Sequence, residues 1–300
     1  EDPADRLLRA AEKLEEHAFF EHAYVFVDGF TSFTVQEYAL LREMLRQAAE
    51  VTVTFGCNGR YDARPQFDSM KDAVRRLTRL CEIEELCWIR VHYLYPDKIS
   101  DELIEVIAKN EKIVKYLDIP IQHINNRILK AMNRHDTGEE IRALFKKLRE
   151  KLPGVVIRTS LIVGFPGETD EEFEELCDFL KENKIERAGV FVYSREENTK
   201  AGAMEDQIDE DVKIRRAELV GSLQARVMDE YNSNLQGKTL TVLTEGFDKY
   251  SECYFGRSFA DSPEIDGKVF FHGKKGIRPG AFVEVEITEE LDGDLLGEAR

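Results

Sequence analysis

The sequence predicts an α/β protein: an open (β/α)6-like parallel barrel followed by a small antiparallel β-barrel at the C-terminus. Three observations carry this. From Tyr24 onward, six strand-like segments alternate with helical ones, a rhythm that implies right-handed crossovers and a parallel sheet. Beyond Gly237 the pattern becomes five short alternating strands in about sixty residues, as in a small β-barrel. Between these lies VVIRTSLIVGFPGET at 155–169, an apolar run closed by a Gly/Pro turn and followed by an acidic helix start. The run reads as a strand buried on both faces. A strand that ends in glycines and feeds a helix N-terminus is a place where α/β proteins seat ligands; a tight turn that merely needs glycine explains the same residues.

In chain order, residues 4–17 form an amphipathic helix with Leu7, Leu8, Ala11 and Leu14 on one face. Residues 24–27 (YVFV) are a strand. Thr34 and Glu37 stand at capping-box spacing before a helix with Leu40, Leu41, Met44 and Leu45 on its apolar side. Residues 51–55 are a strand, 56–64 a loop and 68–81 a helix. Strands follow at 87–95, 114–121, 155–163 and 188–193, with helices at 101–109, 125–132, 138–151 and 171–182. A long helix spans 209–234. The barrel strands fall near 239–245, 252–259, 268–272, 282–288 and 295–299.

Composition bounds the function. With 300 residues and 42% hydrophobic content the chain can bury a large core. No apolar run approaches the ~18 residues of a membrane span. Cys57, Cys81, Cys87, Cys177 and Cys253 are scattered and odd in number, which points to a reducing, cytoplasmic compartment. The formal net charge of −17 argues against nucleic acid and for a basic protein partner. Residues 238–300 hold eight Lys/Arg against thirteen Asp/Glu. An acidic barrel suits a basic protein, although Lys274, Lys275 and Arg278 form a local basic group.

Two resemblances follow from motifs. YVFVDGFTSFTVQEYALLREML and VTVTF resemble part of the B subunit of AddAB-type helicase–nucleases, over roughly 1–75. Gly29 follows Asp28 where helicases have an Asp-Glu pair, and no GxxxxGK[ST] loop exists, so ATP hydrolysis is excluded. From about Leu77 the chain resembles the radical S-adenosylmethionine methylthiotransferases of the RimO type. WIRVHYLYPD (88–97), YLDIPIQH (116–123), RTSLIVGFPGETDEEF (158–173) and VYSREENT (192–199) carry this, and YFGRSFADSPEIDGKVFF (254–271) resembles the TRAM barrel of these enzymes. The domains are then 1–75, a partial barrel at 76–236, and a TRAM-like barrel at 237–300.

The second resemblance implies S-adenosylmethionine at the C-terminal ends of the strands, near Gln122, Ser160, Gly164, Tyr193 and Ser194. It implies methylthio transfer to an aspartate of a small-subunit ribosomal protein. A tRNA methylthiotransferase relative, or a non-catalytic remnant that still binds a basic ribosomal protein, is the alternative. For Gln122 and His123, a satisfied buried hydrogen-bond pair is the competing reading. For Arg158 it is a salt bridge within the sheet; for Tyr193 and Cys177 it is core packing. The family's [4Fe–4S] cluster needs three cysteines spaced CxxxCxxC, and no such triplet exists in this chain. Asn125 and Asn198 stand where the family has Ser and Gly. The chain is therefore expected to be inactive as a methylthiotransferase, with no catalytic residue and no metal ligand assigned.

Overall fold

Strand order in the computed structural model divides the elements into a two-stranded sheet, a four-stranded sheet and a closed barrel. Residues 3–21, 24–30, 34–47, 50–55, 78 and 87–300 are described. The expected loop at 56–64, the helix at 68–81 apart from Thr78, and Cys57 and Cys81 lie outside them. Backbone contacts separate Glu1–Ile89 with Lys109–Ile113 from Arg90–Ala108 with Val114–Arg300.

The first unit holds α1 (Pro3–Glu16), β1 (Tyr24–Phe30), α2 (Val35–Gln47) and β2 (Glu50–Phe55). β1 and β2 pair in parallel, Val25 opposite Val51. The capping box expected at Thr34 is present: the Glu37 amide donates to Thr34 Oγ1 (3.3 Å) and the Thr34 amide to Glu37 Oε2 (2.6 Å). Ala11 and Leu41 are buried. Leu8, read as part of the apolar face of α1, is instead 43% exposed, because the buried stripe is narrower than the spacing of the leucines.

The second unit opens with the parallel sheet. Its strands are β3 (Ile89–Val91), β4 (Ile113–Asp118), β5 (Val156–Val163) and β6 (Arg187–Val192), in the order β3-β4-β5-β6. The helices between them are α3 (Asp101–Lys109), α4 (Asn126–Ala131), α5 (Gly138–Lys151) and α6 (Asp170–Asn183). Tyr116 pairs with Val156, and Ser160 with Gly189. Among the described residues, β1 pairs with β2, and β3 to β6 form a four-stranded parallel sheet. Periodicity identifies strands but does not carry the pairing between them.

The helices start where local chemistry dictates. Thr137 and Thr169 each form a capping box, with Glu140 and Glu172, and Asn125 caps α4 by accepting from two backbone amides. Ile141, Phe145 and Leu148 of α5 and Leu176, Phe179 and Leu180 of α6 are fully or almost fully buried. Cys177 is buried beside them, and burial pushes its thiol pKa up; this is the core packing weighed above.

β5 is not buried on both faces. Ile157, Thr159, Leu161 and Val163 are buried, while Arg158, Ser160 and Ile162 are half-exposed. Period-two alternation therefore governs this strand; the polar pair Arg158 and Ser160 inside the apolar run was the sign of it. β3 is shorter than the expected 87–95, ending at Val91 before Tyr93 at φ 61° and a 3-10 turn at Pro96–Lys98.

α7 (Glu210–Ser233) leads to the barrel, formed by β7 (Thr239–Asp248), β8 (Cys253–Arg257), β9 (Val269–His272), β10 (Phe282–Leu291) and β11 (Asp294–Ala299). The barrel closes in the order β10-β11-β9-β8-β7. Its pairs are antiparallel except β9 with β11, which is parallel. Leu240, Val242, Val269, Phe271, Val285, Ile287 and Leu295 fill it. Among the described residues no helix is long and apolar enough to cross a membrane.

Candidate functional site

The C-terminal edge of the four-stranded sheet gathers the residues expected to bind a ligand. Just beyond β4, Gln122 adopts φ 68°, a left-handed conformation that costs a non-glycine residue free energy. Two hydrogen bonds hold it against β5: its amide donates to Ser160 O (2.9 Å), and its carbonyl accepts from the Ile162 amide (2.8 Å). Beyond β6, the Tyr193 amide donates to Val163 O (2.9 Å) and its ring packs edge-on against Phe165 at 5.3 Å. Gln122, Ser160, Gly164 and Tyr193 thus come from three neighbouring strand ends. Ser194 is exposed, and its hydroxyl donates to Glu196 Oε1 (3.2 Å).

The Gly-Phe-Pro-Gly turn is satisfied from within. Glu168 Oε2 accepts from the amides of Gly164 (2.6 Å) and Phe165 (3.1 Å), while Oε1 pairs with Arg216 Nη1 at 3.0 Å. Glu168 is buried, and burial pushes its carboxyl pKa up against the pull of Arg216. The amides of Gly164 and Phe165 are therefore already used by Glu168. Gly164 has φ 74°, and a Cβ there would collide with the side chain of Lys213. Lys213 of α7 lies 2% exposed; its Nζ pairs with Glu210 (2.6 Å), reaches Tyr193 O (3.3 Å) and stands 5.4 Å from the Tyr193 ring centre.

Two polar atoms at this edge are buried without a partner, Tyr193 Oη and His123 Nε2. His123 accepts from the Asn125 amide at Nδ1 (3.0 Å), so it is half-satisfied rather than a completed pair with Gln122. Burial pulls its pKa down to about 4. A buried hydroxyl left without an acceptor is costly and is a natural contact for a polar ligand.

On the half-exposed face of the sheet, Arg158 Nη1 donates to Asp118 Oδ1 (2.9 Å) and His92 Nδ1 lies 3.8 Å from Asp118 Oδ2. Against the upward push of burial, His92 and Arg158 hold the Asp118 carboxyl below its usual range. The salt bridge weighed for Arg158 is therefore present. Lys213, Asp118 and His92 were not singled out from the sequence, because nothing in their local pattern sets them apart from ordinary surface charges. A shallow surface depression lined by Arg142, Lys146, Arg149, Glu150, Glu182 and Asn183 contains none of the expected site residues.

Three free cysteines fall among the described residues. Cys87 is exposed before β3, Cys177 is in α6, and Cys253 sits at the start of β8 with its Sγ 3.5 Å from His272 Nδ1. Among the described residues, no group of three or more His, Cys, Asp or Glu is placed to hold a metal.

Comparison with known proteins follows the same lines. The family model of the Radical SAM superfamily matches residues 1–180, and the TRAM domain matches 237–299. The first match takes in the segment likened above to a helicase–nuclease fragment, and that likeness has no support here. Ribosomal protein uS12 methylthiotransferase RimO of Caldanaerobacter subterraneus is 50% identical over 222 residues, 74% of this chain and 50% of that protein. The protein of the same name from Clostridium novyi is 49% identical over 222 residues, 74% of this chain and 49% of that protein. The chain spans about half the length of the curated relatives it matches. Among solved structures, coproporphyrinogen III oxidase HemN of Escherichia coli, a radical SAM enzyme, gives a TM-score of 0.48 at 18% identity over 75% of this chain and 46% of that one.

Proposed function

This chain belongs to the radical SAM superfamily, and from that premise we propose that it is a RimO-type methylthiotransferase polypeptide that binds S-adenosylmethionine and a basic ribosomal protein, uS12. Its parts are a segment at 1–75, a partial barrel at 76–236 and a TRAM-type barrel at 237–300. Membership of the superfamily implies S-adenosylmethionine and a [4Fe–4S] cluster, which together supply its radical chemistry. The cofactor suits the residues present: the unpartnered Tyr193 hydroxyl carries this reading, and Gln122 and Ser160 belong to the neighbouring strand ends. Phe165 adds an apolar wall, as ligand sites require. The Gly164 amide faces Glu168, so Gly164 acts by admitting Lys213 close to the turn rather than by donating to the ligand.

The cluster does not suit the residues present, since the chain has no CxxxCxxC triplet. The polypeptide as written is therefore a binding protein rather than a methylthiotransferase. The acidic barrel, with thirteen Asp/Glu to eight Lys/Arg, supports a basic protein over tRNA, because a tRNA-binding module meets phosphate with a basic face. Two measurements on the full chain test this. Calorimetry is expected to show saturable S-adenosylmethionine binding, and 5′-deoxyadenosine assays after anaerobic iron–sulfide reconstitution are expected to show no cofactor cleavage. Absence of binding overturns the cofactor site; stoichiometric cluster with cleavage overturns the inactivity.

A further inference from the structure

Arg158 is only half-used by the fold. Its Nη1 is held by Asp118 at 2.9 Å, while among the described residues its Nε and Nη2 have no protein partner. The side chain is 13% exposed, so these donors are neither sealed in the core nor freely hydrated. The neighbouring strand leaves space for them. A Cβ placed at Gly189 would come within 3.8 Å of Arg158 Nη2 and 3.6 Å of the Phe191 ring; with hydrogen there instead, the outer edge of the guanidinium stays open. Phe191, 55% exposed near the C-terminal end of β6, borders the opening. Ser160 is the next residue on this face toward the C-terminal edge.

We infer that Arg158 receives a carboxylate on the half-exposed face of the sheet, an aspartate side chain of the bound ribosomal protein, one strand step below the cofactor edge. This rests on the proposed reading of the chain. The Nε–Nη2 edge of a guanidinium matches the two oxygens of a carboxylate, and the pair is strong because its geometry is fixed. Asp118 holds the other edge and so turns the open one outward, which makes Asp118 a positioning residue. Its own charge is shared with Arg158 and His92. The exposed Phe191 ring shields the pair from water, which strengthens it. Two residues along a strand advance about 7 Å, so a carbon next to a carboxylate on Arg158 lies within reach of a ligand seated at Ser160.

The test reads the arginine directly. The full chain, labelled with 15N, is titrated with N-acetyl-aspartate amide and with N-acetyl-asparagine amide, and the side-chain Nε–H signal lost in Arg158→Lys is followed. A saturable shift with the aspartate probe, and binding at least fivefold weaker with the asparagine probe, are expected. Asp118→Asn keeps an oxygen acceptor for Nη1, and with it the orientation of the guanidinium, but removes the competing negative charge, and is expected to tighten the aspartate probe at least threefold. No saturable shift, or equal affinity for both probes, overturns the assignment. Fluorescence anisotropy with uS12 separates this from the wider reading: Arg158→Met and Arg158→Lys, with circular dichroism confirming their fold, are expected to weaken uS12 at least fivefold. If uS12 fails to bind the unsubstituted chain while Arg158 still discriminates between the probes, the carboxylate subsite stands and the functional reading falls.

Discussion

Arg187, at the start of β6, and Asp261, in the loop between β8 and β9, form an ion pair of 3.1 Å with side chains only 5% and 4% exposed. The pair joins sheet to barrel within the second unit. Asp261 Oδ2 also accepts from the Ser258 amide (3.0 Å) and hydroxyl (2.6 Å), and the Arg187 guanidinium lies 5.4 Å from the Tyr231 ring centre. Beside it, Arg90 donates to Phe259 O (2.7 Å) and Tyr116 to Asp266 Oδ2 (2.6 Å). Three strands of the sheet thus hold one barrel loop through charged or polar side chains.

Removing one partner of this pair leaves an uncompensated buried charge. Asp261→Asn or Arg187→Met is expected to cost about 3–5 kcal/mol, read as a lower urea midpoint with an unchanged slope. The Asp261→Asn/Arg187→Met double variant is expected to cost less than the sum of the two. Strict additivity would mean that the two side chains do not act as a pair.

Tyr193→Phe separates packing from ligand contact. The hydroxyl has no hydrogen-bond partner in the protein, so its removal is expected to leave thermal stability unchanged or slightly raised. A hydrogen bond to S-adenosylmethionine contributes about 0.5–1.5 kcal/mol net, so affinity is expected to fall about two- to tenfold by calorimetry. Unchanged affinity would place the hydroxyl outside the site.

His123 gives the fold a dependence on acidity. Burial lowers its folded pKa from 6.5 to about 4, so between those values the unfolded chain binds the proton and the folded one does not. Its contribution is full above pH 6.5, is lost as pH falls toward 4, and amounts to roughly 3 kcal/mol at most. Denaturation profiles of the parent and His123→Gln are expected to diverge across pH 6.5 to 4 and to run parallel above it. Parallel profiles throughout would show that His123 titrates alike in both states.

Most of the described elements, and the change of architecture at Gly237, were legible in the sequence. Alternation of strand and helix, the capping pair Thr34–Glu37, and short strands set off by turns are local signals, fixed by backbone sterics and nearest-neighbour hydrogen bonds. The motifs at 116–123, 158–173 and 192–199 likewise pointed to the family and to the strand-end residues. Tertiary structure decided what depends on distant partners. Among the described residues it paired β1 with β2 and joined β3 to β6 in one four-stranded sheet, and set β5 with one face covered and one half-exposed. It brought Lys213 from α7 onto Gly164 and Arg216 onto Glu168, and left the Tyr193 hydroxyl without an acceptor. Pairing, burial and charge compensation arise between residues far apart in the chain, and local sequence carries no term for them.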